Sequence, residues 1–189
     1  MVIRDTALVK RIKERYREGG YTVITEPDGW TAILCPAWMV RAKNDHLPRE
    51  VLSLLALHLG FLPEPETAYR IMKGKDEPSV QDMIYETAVE PVKWMQGLAE
   101  IAEGSVPVQV KKTLLIFDGW NLWQKCGNGG IAMINPGYET LFRSLDGVTM
   151  AGDAFYKRGI LSECFVMKGI REDRERELNH LGKIFWIGT

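Results

Sequence analysis

The sequence predicts an α+β fold with three parts. These are an N-terminal part containing a β-hairpin, a helical middle from about 47 to 104, and an antiparallel β-rich C-terminal part with a terminal helix. Three observations carry this reading. Apolar residues recur at helical spacing near the N-terminus and through the middle, they gather elsewhere into short runs rich in β-branched and aromatic residues, and Pro-Asp-Gly or Asp-Gly separates those runs.

The first segment reads as a helix. Thr6 is placed to cap it, Leu8, Val9, Ile12 and Tyr16 form one stripe, and Gly19-Gly20 ends it. Tyr21–Glu26 and Trp30–Cys35 then flank Pro27-Asp28-Gly29. Pro presets φ, Asp bonds its own backbone and Gly accepts positive φ, so the segment is expected to be a hairpin.

Pro48 suits a first helical turn, and Glu50–Leu59 runs to Gly60 as a helix. Glu66–Lys73 reads as a short helix closed by Gly74. Ser79 with Asp82 has capping-box spacing ahead of Val80, Met83, Ile84 and Ala88. Pro91 is expected to kink or restart the helix, and Val92, Met95, Leu98, Ala99 and Ala102 carry the stripe to Gly104.

Strand character returns at Val106–Val110. Lys112–Phe117 and Trp120–Lys125 are separated by Asp118-Gly119 alone, a strong hairpin signal. Ile131–Ile134, Tyr138–Leu145, Val148–Met150 and Cys164–Met167 read as further strands. Arg171–Leu181 mixes charges finely enough for a solvated terminal helix, and the apolar tail Ile184–Ile187 is expected to dock. The chain divides into 1–104 and 105–189, or closes as one compact domain. Asp-Gly-Trp occurs at 28–30 and again at 118–120, which hints at two related hairpin units; the common use of Asp-Gly in turns is the simpler account of a three-residue identity.

Composition narrows the function. Twenty-four bases against 25 acids exclude a general polycation, and no run reaches the ~18 apolar residues of a membrane span. Three cysteines at wide spacing argue against a disulfide framework and fit a cytoplasmic setting. Charge is uneven. Residues 44–104 hold 11 acids and 5 bases, whereas residues 1–43 hold 5 acids and 8 bases.

The segment Leu114-Leu-Ile-Phe-Asp118-Gly-Trp-Asn121-Leu locally resembles the first strand of PIN-like and NYN nuclease domains. The resemblance covers about nine residues and implies a divalent metal held by Asp118, with Asn121 nearby and Glu139, Asp146, Asp153 and Asp173 as further acids for phosphodiester cleavage. A type I′ hairpin turn explains the same Asp-Gly, and only the hairpin needs Trp120–Lys125 to be extended. Gly127-Asn-Gly-Gly130 lacks the Lys and the following helix of a phosphate loop. Cys35, Cys126, Cys164, His46, His58 and His180 show no zinc-ligand spacing, and a Cys126–His180 pair has no supporting motif. No cofactor is expected.

The favoured expectation is therefore a non-catalytic binding or regulatory protein, an accessory inhibitor of a basic or nucleic-acid-processing partner. Its acidic helices, through Glu86, Glu90, Glu100 and Glu103, would meet that partner. Trp120 and Trp123 point to opposite faces of one strand, so one of them is a candidate anchor. Direct nucleic-acid contact would fall to Lys10, Lys13 and Arg17 on the first helix. The metal-dependent nuclease is the alternative.

Overall fold

The computed structural model describes residues 1–104, 108–127 and 130–169. The expected terminal helix at Arg171–Leu181 and the tail Ile184–Ile187 lie outside the described residues. Helix α1 (Asp5–Glu18) begins one residue before Thr6, without a side-chain cap, so Thr6 lies inside the first turn. Asp5 at the start and Arg15 and Arg17 at the end complement the helix dipole. Gly20 (φ 83°) then turns the chain beneath Ile71.

Strands β1 (Tyr21–Thr25), β2 (Trp30–Cys35) and β3 (Trp38–Lys43) form an antiparallel meander. Its first turn is the expected one: Gly29 takes φ 78° and donates to the Glu26 carbonyl at 3.2 Å. A 3₁₀ turn (Asn44–His46) leads to α2 (Arg49–Leu59), which Gly60 ends in the left-handed region.

The middle of the chain is not helical throughout. Thr67–Lys73 is a strand, β4, which returns to pair antiparallel with β1, and Pro78–Asp82 is β5, its antiparallel neighbour. The expected short helix and the capping box at Ser79 are both corrected here. Ala68 faces one core and Ile71 the other, so the strand is covered on both sides and shows no alternation. Helices α3 (Tyr85–Ala88) and α4 (Glu90–Gly104) follow, with the restart falling at Pro91 as expected.

Strand β6 (Val108–Phe117) joins the two short strands read from sequence into one, and pairs with β7 (Trp120–Lys125) and β7 with β8 (Ile131–Ile134). Where Tyr138–Leu145 was expected as strand, a one-turn helix α5 (Pro136–Glu139) and an irregular segment stand instead. Strands β9 (Thr149–Ala151), β10 (Ala154–Arg158) and β11 (Ser162–Met167) complete the sheet.

The eleven strands among the described residues form one antiparallel sheet in the order β5-β4-β1-β2-β3-β11-β10-β9-β6-β7-β8. The two parts of the chain repeat one plan: β5-β4-β1-β2-β3 matches β10-β9-β6-β7-β8 in order. Because every neighbouring pair is antiparallel, β10 runs in the direction of β5, so the order repeats without inversion. The two Asp-Gly-Trp triplets occupy the same place, between the first and second strands of each unit. Pairing of β3 with β11 welds the units together. The N-terminus ties them again, since Arg4 N–H donates to Leu141 O and Arg143 N–H to Val2 O, each at 2.9 Å.

One face of the sheet packs Leu8 and Ile12 of α1 and Val51, Leu54, Leu55 and Leu59 of α2 over Val23, Ile33, Val40, Cys164 and Val166. The other face takes Val92, Met95 and Ala99 of α4 over Ile24, Ala32, Met39, Tyr156 and Phe165. No helix among the described residues is long and apolar enough to cross a membrane.

Candidate functional site

The Asp118-Gly119 turn is tight. Asp118 (φ 51°) and Gly119 (φ 77°) both have the positive φ of a type I′ turn, Phe117 faces Trp120, and β7 is extended and paired on both sides. Asn121, one residue into β7, is buried, and its amide donates to Glu139 Oε2. Glu139 is 5% exposed at the end of α5, whose start is fixed by Asn135 accepting from Gly137 N–H at 2.8 Å. Lys112 Nζ lies 3.0 Å from Oε1 and 3.1 Å from Oε2, and its hydrogen bond goes to Oε2.

Asn121 and Glu139 thus meet, but around a lysine, and the trio clamps α5 to β6 and β7. The other acids go elsewhere. Asp146 accepts from Ser144 Oγ, Asp153 pairs with Lys168 at 2.7 Å, and Asp173 lies outside the described residues. Among the described residues, no group of three or more His, Cys, Asp or Glu side chains is placed to hold a metal ion. Cys35 and Cys164 are buried, which pushes both thiols up. His46 pairs with exposed Asp45, and His180 lies outside the described residues.

On the far side of the sheet, α3 and α4 present Glu86, Glu90, Glu100 and Glu103 to solvent. Glu90 pairs with Lys93 at 2.9 Å, and Glu103 turns towards the sheet to meet Arg158 at 3.0 Å. Burial of Val92, Met95 and Ala99 turns Glu90, Trp94 and Gly97 outward along one line of the helix. Trp94 is 53% exposed, and Ile84 beside the start of α3 is 73% exposed. A Cβ at Gly97 would meet nothing within 4 Å.

The strand tryptophans divide as their spacing requires. Trp123 is 1% exposed and packs edge-on to Phe155 at 5.5 Å, so its ring belongs to the core. Trp120 lies on the opposite face, half-buried against Leu122 and Met133. Lys10, Lys13 and Arg17 are exposed on one side of α1, beside the Arg11–Glu14 and Arg15–Glu18 pairs.

Sequence reasoning missed a charged ladder at the weld between the units. Arg41 of β3 donates from Nε and Nη2 to Glu26 at 2.6 and 2.9 Å, and from Nη1 to Glu163 of β11 at 3.4 Å. Arg158 of β10 donates to Glu163 at 2.9 Å. The Trp30 ring lies 4.1 Å from the Arg41 guanidinium carbon. Burial opposes the Arg41 charge, but Glu26, Glu163 and Asp28 outweigh it and hold the guanidinium above its ordinary value. The available signal was a lone charge inside each of two apolar runs, Trp38–Ala42 and Ser162–Met167. Comparison with protein-family models, curated proteins and solved structures finds no match to this chain.

Proposed function

We propose that this protein is a non-catalytic binding module that takes a basic protein partner on the outer face of α3 and α4. The observation that carries the reading is Trp94, half out in solvent on a helix held firmly from behind, with Glu90 one turn before it on the same side and Glu86 and Glu100 exposed on α3 and α4. Exposed tryptophan is a recurrent interface anchor, and surrounding carboxylates steer a cationic partner and fix its register. Gly97 supports the same reading. Glycine inside a helix costs about 1 kcal/mol relative to alanine, and no neighbour among the described residues requires its small size. A partner side chain seated beside Trp94 would require it.

The test is affinity capture from cells that carry the protein, at low and high salt, with wild type, Trp94→Ala and the double variant Glu90→Lys/Glu100→Lys as baits. The expected result is a protein of high isoelectric point, held by wild type, released by salt and lost from both variants. Retention of the same bound proteins by both variants overturns the proposal.

A further inference from the structure

Strand β6 carries an opening in the sheet. It pairs with β9 only at Val108↔Met150 and Gln109↔Thr149. Continuing that register would set Val110 against Val148, but the chain there turns away through Asp146 and Gly147 (φ 70°), and Val148 N–H donates to Leu145 O instead. The gap is a groove of about 540 Å³ between Gln109–Lys112 and Leu145–Thr149.

The backbone facing this groove is defined by the antiparallel alternation. Cys126 N–H donates to Gln109 O, while Lys125 N–H donates to Gly130 O on the β8 side. Val110 pairs with Lys125 and Lys112 with Trp123, so the peptide groups of Val110 and Lys112 face away from β7 and into the groove. Two outward residues at that spacing are the recognition unit of an added strand, which repeats every two residues, about 6.6 Å. Beyond them β6 continues as Leu114 and Ile116, which are 101% and 69% exposed, an apolar stretch unusual for an open strand edge.

The surroundings select the occupant's charge. Lys111 and Lys112 stand on the strand. Through Lys112 and Leu145 the groove adjoins a second cleft of about 310 Å³ that brings Arg4 and Arg143 to the same side. Asp146 and the Lys112-bound Glu139 are the acids present, so cations prevail. Trp123 lines the groove, and its buried indole N–H meets no acceptor among the described residues.

We infer that the groove between β6 and Leu145–Thr149 is a strand-addition site for an extended, acidic peptide segment of a partner protein, paired through the backbone of Val110 and Lys112. Its lining includes no residue of α4, and it does not rest on the reading given to that helix. Strand addition takes its affinity from main-chain hydrogen bonds and its specificity from alternate side chains.

The experiment uses the whole ¹⁵N-labelled chain and a short capped peptide alternating Val and Glu, titrated to about 1 mM. Expected are amide shifts centred on 109–113 and 145–149, with slowed exchange at Val110 and Lys112. Methylating the peptide nitrogens that face β6 is expected to weaken binding about tenfold or more. A Val–Lys peptide is expected to bind more weakly than the Val–Glu peptide, and Lys111→Glu to narrow that difference while leaving the fold intact. No shifts at 109–113, or equal binding of the methylated peptide, overturns the inference. Tighter binding of oligothymidylate to the same residues overturns it in favour of a nucleic-acid groove.

Discussion

Replacing Arg41 by methionine tests how the two units are joined. Arg41 is 6% exposed and its guanidinium holds two carboxylates, Glu26 at 9% beside β1 and Glu163 at 3% across the β3–β11 weld. Methionine fills much of the same volume but leaves Glu26 buried without its cation, while Glu163 keeps Arg158 alone. Breaking a buried pair from one side typically costs about 3–5 kcal/mol, because the remaining charge keeps its desolvation penalty. For a chain of this size that corresponds to a fall of roughly 6–20 °C in Tm. Urea and thermal unfolding, followed by circular dichroism and tryptophan fluorescence, read the loss. Adding Glu26→Gln to Arg41→Met is expected to recover much of the loss, since the acid left without a cation is then neutral, while Glu163 keeps Arg158. A loss below about 1 kcal/mol for Arg41→Met alone, the scale of an exposed ion pair, would refute the reasoning.

Three further outcomes are expected. His58 is buried beside Tyr21 Oη (2.8 Å from Nδ1) and stacked on Tyr16 at 4.0 Å, and burial lowers its pKa. Below its ordinary value of about 6.5 the unfolded chain therefore binds the proton more readily, and stability contributed by His58 is complete above that pH and lost as pH falls through the window. Denaturation midpoints from pH 7.5 downward are expected to slope less in His58→Gln than in wild type. Gly20→Ala is expected to destabilise by more than about 1–2 kcal/mol in urea unfolding, because its Cβ would sit at positive φ and 2.6 Å from Ile71 O. Gly97→Ala is expected to do the opposite, raising stability by about 0.8–1 kcal/mol while weakening capture of the α4 partner.

Local signals with one dominant cause were legible. The stripe Leu8, Ile12 and Tyr16, the two Asp-Gly turns and the Pro91 restart each depend on residues a few positions apart, and each appears in the structure. Strand β4 was not legible, because Thr67–Lys73 lies between β1 and β5 with both faces covered. Ala68 and Ile71, three apart, imitate a helical stripe while serving opposite cores. Strand β10 escaped notice for a related reason, since Ala154, Phe155 and Tyr156 are buried consecutively. The repeat of the two units was visible as a bare triplet and became informative only when both triplets were found at one place in one strand order. At the candidate site, the acidic character of Glu86, Glu90 and Glu100 could be counted from composition. The exposure of Trp94 could not, because it depends on which side of α4 meets the sheet. The opening along β6 depends on where β9 stops pairing, which no local residue pattern encodes.

The most direct measurement replaces Trp94 with a photoreactive benzoylphenylalanine in the cells that carry the protein and identifies what is joined to it on irradiation. The account expects one dominant adduct with a strongly basic protein, suppressed when Glu90 and Glu100 are changed to lysine. Irradiation that joins position 94 to no protein, or to an acidic one with equal yield in the lysine variant, would contradict it.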